Sequence, residues 1–418
     1  MKYFFVGIKG VGVAGIATLY KEWGHDVSGS DTAEEFFTDR ILAQKNISVC
    51  SFEPMHVTQD IQCIVYSSAY NADHPQIKRG MELGIRTISY GEALAEIFNQ
   101  RRGILVTGTH GKTTTTAMLG RVLEDAKFDP TVIDGGELIE WGSTARAGRG
   151  EWSVAEGDEY QAKFLALKPQ IILLTNVEYD HPDFYKTEDD YRKAFECLLE
   201  AVPATGYVIA HDSLRTFVEK TTPAQKIFYS DRDGKNLKLD MWGIHNRTNA
   251  AGVMAVSKIF HIDPEQAKNT LAHFQGTRRR MELYTNESAA TVIMDDYAHH
   301  PTEIQATLAA LKEHYPKRNV VAVFQPHTYS RTAALLNDFA RSFADASRVI
   351  IADIYASARE QSGAVGGREL YEAVSREHPS VQFAPDVDEA HKLAHQYMES
   401  NTVIVTLGAG DIWQVARR

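Results

Sequence analysis

The hydrophobic positions of this chain fall in short runs, not in long helical stripes. Apolar, β-branched stretches at 3–6, 61–66, 104–106, 152–156, 170–174, 206–210, 291–294, 319–324, 349–354 and 402–407 read as strands, and more polar ones at 26–31 and 85–89 join them. Between them lie helical patterns, from the glycines at 10–15 through Tyr20 and Trp23, then at 92–98, 117–124, 250–259 and 302–311. Strands alternating with helices predict an α/β protein of mostly parallel sheets, with its chemistry at the strand ends. Polar residues at 99–103 and the stretch Phe274-Gln275-Gly276 interrupt the pattern, which predicts three domains at 1–100, 101–275 and 276–418. Residues 211–240 carry little signal.

Composition narrows the function classes. At 44% hydrophobic and 24% charged residues the chain is ordinary globular protein. Its net charge of −11 provides no broad basic field, so a nucleic-acid grip is excluded and anionic ligands must be met locally. Cys50, Cys63 and Cys197 are scattered, which fits a reducing cytoplasm better than a disulfide scaffold or a cysteine-based zinc site. No run of roughly 18 or more uncharged apolar residues is present, so no membrane insertion is expected. The apolar start, Met1 to Ile8, is cut by Lys9 and has no small-residue cleavage site after it; it reads as a strand, not a secretory signal.

The sharpest motif is Gly108-Thr109-His110-Gly111-Lys112-Thr113-Thr114, where a β-branched strand hands over to a helix. Glycines let successive N–H groups point at one anion, Lys112 adds a positive charge, and the Thr113 hydroxyl suits Mg²⁺. The first glycine comes two residues later than in the full G-x-x-x-x-G-K-[ST] pattern. Gly10, Gly12 and Gly15 spell a second phosphate turn, G-x-G-x-x-G, with Asp31 closing the next strand about twenty residues on. On its own that turn fits a dinucleotide, another nucleotide diphosphate or mere packing. Ser67-Ser68-Ala69 end the strand at 61–66, where open sheets hold ligands.

Acidic residues follow the first motif. Glu156-Gly157-Asp158-Glu159 ends a strand, and a carboxylate there is a natural Mg²⁺ ligand beside a phosphate loop. Asp180-His181 follows the strand at 170–174, His181 being either a second metal ligand or a surface histidine in an acidic loop. Asn246 and Asn249 open a helix and could grip a base by amide hydrogen bonds, or Asn246 could be an N-cap. Arg280, Asp296, Tyr297, His299, His300, His327 and Arg331 all fall near strand ends in the last third. A zinc cluster competes for those histidines, but no cysteine joins them.

Gly108 to Thr116, Asp180-His181, His245-Asn246 with Asn249, Asp295-Asp-Tyr-Ala-His-His-Pro-Thr-Glu303 and Phe324-Gln-Pro-His-Thr-Tyr-Ser-Arg-Thr332 together resemble the Mur ligases, most of all the branch that adds the first amino acid of the peptidoglycan stem. The likeness runs from Gly7 to Gly410. It implies an N-terminal Rossmann-like domain for a UDP-sugar, a central P-loop ATPase domain with a mostly parallel sheet, and a C-terminal Rossmann-like domain for the amino acid. The activity implied is cytoplasmic and ATP-dependent, with Mg²⁺ as cofactor: UDP-N-acetylmuramate is activated as an acyl phosphate and attacked by the amine of L-alanine. By this likeness Gly10, Val11, Gly12, Asp31, Ser67, Ser68 and Ala69 bind the UDP-sugar. Lys112 and Mg²⁺, held by Thr113, Glu156 and His181, act on the phosphoryl group. Asn246, Asn249, Arg280 and Asp296 bind ATP, while Tyr297, His299 and Arg331 hold the amino acid. A substrate set split over three domains implies closure near residue 276.

The pattern has departures. Thr328 stands where some members carry arginine, Trp242 precedes Gly243 where proline is usual, and the segment 225–242 is short. Sister ligases use a carbamylated lysine at a position matching Phe195, with Lys193 close by. A recycling ligase that attaches a tripeptide, a nicotinamide-dependent oxidoreductase built on Gly10 to Gly15, and a non-catalytic nucleotide-binding regulator are the rival readings.

Overall fold

The chain builds three sheets, one from each third of the sequence. In the computed structural model, which describes residues 1–356, 360 and 362–417, they pack as two compact units. The first unit comprises 1–177, 193–230 and 250–275; the second comprises 178–192, 231–249 and 276–417 of the described residues.

The first unit holds two of the sheets. One contains β1 (Lys2–Val6), β2 (Asp26–Ser30), β3 (Ser48–Cys50), β4 (Cys63–Tyr66) and β5 (Arg86–Ser89) in the order β3-β2-β1-β4-β5, all parallel. The order reverses beside β1, which opens a crevice at the C-terminal end of that strand. Three helices serve this sheet: α1 (Val11–Glu22), α2 (Phe37–Gln44) and α3 (Pro75–Glu82), followed by α4 (Tyr90–Asn99). Ser89 and Glu92 form a capping box that starts α4, the Ser89 hydroxyl accepting from the Glu92 N–H.

The other sheet has seven strands: β6 (Arg102–Thr107), β7 (Thr131–Leu138), β8 (Ser143–Arg146), β9 (Trp152–Gly157), β10 (Pro169–Leu174), β11 (Tyr207–His211) and β12 (Gln225–Tyr229). Their order is β12-β11-β10-β6-β9-β7-β8, parallel except for the β7–β8 hairpin. β6 lies centrally and feeds α5 (Lys112–Asp125). That helix begins five residues before the apolar pattern shows it, because four consecutive threonines mask its first turn. The hairpin strand β8 lies inside a stretch rich in Gly and Arg, from Gly142 to Gly150, whose composition alone suggests a loop. Thr144 on it accounts for the tie to the first sheet: its hydroxyl donates to the Val11 carbonyl of α1 at 3.3 Å.

The second unit carries β13 (Glu282–Leu283), β14 (Thr291–Asp296), β15 (Asn319–Phe324), β16 (Arg348–Ala352), β17 (Val381–Ala384) and β18 (Thr402–Leu407), in the order β13-β14-β18-β15-β16-β17. Only the short β13 runs antiparallel. Alternate residues of each central strand enter opposite cores: Ala322 and Phe324 go to one face, Val321 and Val323 to the other. A sheet covered on both sides explains why these strands read as continuous apolar runs. Among the described residues, no helix is long and apolar enough to cross a membrane.

Candidate functional site

The turn from β6 to α5 is shaped by glycine. Gly108 sits at φ 137° and Gly111 at φ 79°. A Cβ on Gly108 would lie 2.2 Å from Thr175 Oγ1 and 2.7 Å from the Asn176 carbonyl oxygen, so only glycine lets the end of β10 come this close. The loop is tied there twice, the Thr175 hydroxyl donating to the His110 carbonyl at 2.7 Å and the His110 N–H donating to Asn176 Oδ1 at 2.8 Å. Thr113 to Thr116 are buried in the first turns of α5.

Lys112 Nζ donates to the carbonyls of Gly108 at 2.7 Å and Thr109 at 2.8 Å, and ion-pairs with Glu159 at 2.9 Å. Burial pulls its pKa down, but the carboxylates of Glu159 and Glu156 outweigh burial and hold the ammonium above its ordinary value. The lysine is charged and pre-placed across the mouth of its own loop.

β9 and β7 carry the acids. Glu156 ends β9 and accepts the Gly135 N–H at 2.9 Å. Asp134, on β7, faces it from 2% exposure. Burial first, then the charge and hydrogen-bonding reach of Glu156, push the Asp134 carboxyl well above the usual range; the Gly135 and Gly136 N–H groups pull weakly the other way without completing hydrogen bonds. Both acids line a cavity of about 300 Å³ that also takes in Gly10, Gly12, Ser67 and Ser68. Phosphate turn, serines and acid cluster thus share one cavity within the first unit. Thr113 and Glu156 offer the hard oxygens Mg²⁺ prefers, and the orphaned oxygens of Asp134 beside Glu156 mark a place that wants a cation, so the residues fit the ion.

Three residues of the expected sugar-nucleotide set have close neighbours in the fold. One oxygen of the Asp31 carboxylate accepts the Lys9 N–H at 2.7 Å and braces the glycine turn, and the other accepts the Thr32 N–H at 2.8 Å. Gly12 faces Tyr90, whose hydroxyl would stand 2.5 Å from a Cβ placed there. Ala69 is exposed, and its N–H donates to the Ser67 hydroxyl at 3.3 Å. Tyr90, Asp134, Asp158 and Lys163 also line the cavity, though none belongs to a phosphate motif. Asp134 lies midway along β7, just before Gly135-Gly136.

The second unit gathers another group of expected residues. Arg331 and Asp180, about 5% exposed each, form a two-pronged pair, Nε to Oδ1 at 2.8 Å and Nη2 to Oδ2 at 3.2 Å. Burial alone would raise the Asp180 carboxyl, but the Arg331 guanidinium holds it well below the usual carboxylate range. His181, at φ 59°, donates its N–H to Asp180 at 2.6 Å. Arg331 Nη1 donates to the His327 carbonyl at 3.3 Å. Burial lowers His299 to about 4 and His327 to about 3, so both are neutral near pH 7. The His300 ring accepts from the Thr302 N–H, and with Glu303 it caps the helix Pro301–His314.

The remaining nucleotide candidates also lie in this unit. Asn246 and Asn249 are buried in the helix Ile244–Ile259, where the Asn246 amide donates to the Trp242 carbonyl at 2.8 Å and is a helix residue, not an N-cap. Asp296 accepts from the N–H groups of Met281 and Ala298, both at 2.8 Å. Burial lifts its carboxyl to about 6 despite Arg280. The Arg280 guanidinium lies 4.8 Å over the Tyr297 ring.

Three family models cover nearly the whole chain: the Mur ligase family catalytic domain over residues 2–102, the Mur ligase middle domain over 106–262 and the Mur ligase glutamate ligase domain over 279–410. The chain belongs to the Mur ligase family. Among Mur ligases, the UDP-N-acetylmuramate--L-alanine ligase of Desulfitobacterium hafniense (strain Y51) is 36% identical over 442 residues, spanning 99% of this chain and 98% of that protein. The crystal structure of the UDP-N-acetylmuramate-alanine ligase of Thermotoga maritima superposes with a TM-score of 0.84 at 26% identity, covering 100% of this chain and 98% of that one. A murein peptide ligase from Psychrobacter arcticus shares the fold, with a TM-score of 0.73 at 24% identity over 100% and 98% of the two chains.

The departures from the Mur ligase pattern have local physical reasons. Trp242 stacks on His314, ring centroids 3.8 Å apart, and meets Tyr315 edge-on, so it fills its site by aromatic packing. Phe195 is fully buried against Phe164, and Lys193 is exposed. Thr328 holds φ 69°, an uncommon conformation for a β-branched residue, immediately before the helix Tyr329–Ala334 that carries Arg331.

Proposed function

We propose that this Mur ligase joins L-alanine to UDP-N-acetylmuramate at the expense of ATP, in the building of peptidoglycan precursors in the cytoplasm. The observation that carries the reading is the shared cavity: Glu156, one strand away from the phosphate loop of β6, lines the same space as the Gly10–Gly12 turn and Ser67. A carboxylic acid on a sugar nucleotide held there lies beside the loop that holds a triphosphate. Full-length likeness to proteins named for this activity supports the same choice.

The reaction runs in two steps. The muramate carboxylate oxygen attacks the γ-phosphorus of ATP; the bond to the β–γ bridging oxygen breaks, giving an acyl phosphate and ADP. The neutral amine of alanine then attacks the acyl carbon, and the tetrahedral intermediate expels phosphate while the amine loses a proton. The N–H groups of Gly111 to Thr113 at the start of α5 bind phosphate oxygens, and Lys112 neutralises charge that builds between phosphorus and leaving group. Thr113, Glu156 and His181 are the residues proposed to hold Mg²⁺, which when bound screens the phosphate charge. Asn246, Asn249, Arg280 and Asp296 are assigned to ATP, and Tyr297, His299 and Arg331 to the amino acid.

Phosphate release is measured with UDP-N-acetylmuramate, ATP and either L-alanine or the L-alanyl-D-glutamyl-diaminopimelate tripeptide, and the product is weighed by mass spectrometry. Turnover with alanine and a product heavier by one alanyl residue is expected. Turnover with the tripeptide and none with alanine would overturn the assignment.

A further inference from the structure

Asp134 has no part in the chemistry above, yet its placement is costly. It is 2% exposed, it lines the cavity, and neither of its carboxylate oxygens makes a hydrogen bond. The charged side chain that acts on it most strongly is Glu156, a like charge within hydrogen-bonding reach. The cations nearby are committed elsewhere: Lys112 pairs with Glu159 at 2.9 Å, and Lys163 with Asp158 at 3.2 Å. Two acids are therefore held together at the cavity, with Lys112 acting on Glu156 through space but, among the described residues, no cation paired with Asp134. The backbone is shaped to permit this, because a Cβ on Gly135 would stand 2.4 Å from Glu156 Oε2. A side chain at 135 would displace the Glu156 carboxylate.

We infer that Asp134 and Glu156 together hold a divalent cation of the magnesium class, Asp134 being a metal ligand in its own right. Two carboxylates and one doubly charged ion balance, and the oxygen-only donor pair suits Mg²⁺ or Mn²⁺ and disfavours zinc. The inference deepens the proposed reading, on which the role of Glu156 beside the phosphate loop rests, but it concerns metal binding alone and is tested without substrate.

The probe is Mn²⁺, titrated into the full chain without nucleotide and followed by electron paramagnetic resonance of the free ion. Asp134→Asn, which keeps the shape and removes the charge, is expected to weaken Mn²⁺ binding about tenfold or more, in the range that loss of a supporting carboxylate causes in other metal sites. Its metal-free melting temperature is expected to equal or exceed that of the parent, since a like-charge contact is gone. Asp134→Ser gives the same loss of affinity and serves if the asparagine variant folds poorly. Mn²⁺ affinity within twofold of the parent in a folded Asp134 variant would overturn the inference; if Glu156→Gln alone then abolished binding, the role of Glu156 would stand without Asp134. Weakened Mn²⁺ binding in a protein that ligates neither alanine nor tripeptide would sustain the metal site while removing the proposed activity.

Discussion

Removal of the Asp180 carboxylate tests how the Arg331 end of the second unit is held. Asp180→Asn leaves the Arg331 guanidinium, 5% exposed, without its counter-ion. Stranding one partner of a buried pair costs about 3–5 kcal/mol, and because asparagine keeps one acceptor for Nε the lower end, about 3 kcal/mol, is expected. The two charge-assisted hydrogen bonds give the same scale from the other direction, at about 1.5–3 kcal/mol each. Tenfold per 1.4 kcal/mol turns about 3 kcal/mol into amide exchange faster by roughly a hundredfold wherever exchange requires opening of this unit. Hydrogen-exchange mass spectrometry reads that directly on the central strands β14, β15 and β18 and avoids fitting one transition to a chain that folds as more than one body. The double variant Asp180→Asn/Arg331→Met, with neither charge left buried, should recover most of the loss. Exchange in Asp180→Asn within threefold of the parent would refute the idea that this pair organises the unit.

The same pair bears on specificity. Nε and Nη2 of Arg331, the fork that would meet an amino-acid carboxylate, both face Asp180, which leaves Nη1 turned to the His327 carbonyl. If Arg331 grips the substrate carboxylate, Asp180 competes with it. Asp180→Asn should then lower the KM for L-alanine while destabilising the protein, and Arg331→Ala should raise that KM; an unchanged KM in both places the carboxylate elsewhere.

Two further outcomes follow from the geometry. Gly12→Ala puts a methyl 2.5 Å from the Tyr90 hydroxyl, so the ring must move into the cavity; the KM for UDP-N-acetylmuramate should rise while that for ATP stays put, with about 1–3 kcal/mol lost in thermal melts, and an unaltered sugar-nucleotide KM would show the turn does not face that ligand. The second unit should also weaken in mild acid. His245, His299 and His327 have folded pKa values lowered to about 4, 4 and 3, so from pH 6.5 downward the unfolded chain binds more protons and stability falls until the folded values are reached. Asp296, raised to about 6, and Asp295, also raised by burial, act oppositely and offset part of the loss. Each uncompensated histidine contributes at most about 1.4 kcal/mol per pH unit, and with the carboxyls offsetting part and each ring keeping solvent contact the net slope is about 1 kcal/mol per pH unit. Urea midpoints of the second unit at pH 7 and pH 4.5 that coincide would contradict it.

The pattern of apolar runs was enough to place the central strands, because a strand buried on both faces leaves no polar alternation and stands out as an uninterrupted run; β15 and β18 have the bounds expected of them. What escaped was β7, whose apolar start is broken by Asp134 and two glycines, together with the edge strands β3, β8, β12 and β17, α2 and α3 with only one apolar side, and the first turn of α5 hidden by threonines. The same division holds for the site. Glycine turns and lysines announce themselves by spacing, since backbone geometry demands particular residues at fixed intervals, and the loop at Gly108 was readable for that reason. Partnerships across the fold leave no such interval. Asp31 looked free to meet a ribose until the Lys9 and Thr32 N–H groups were seen to use both its oxygens, and Arg331 looked free to meet a carboxylate until Asp180, 151 positions away, was found on its fork. Asp134 is the reverse case, a residue with no motif whose importance lies in what it lacks. Sequence gives the donors a site contains; only the packed structure says which of them are already engaged, and the charge left uncancelled after that subtraction is where a ligand binds.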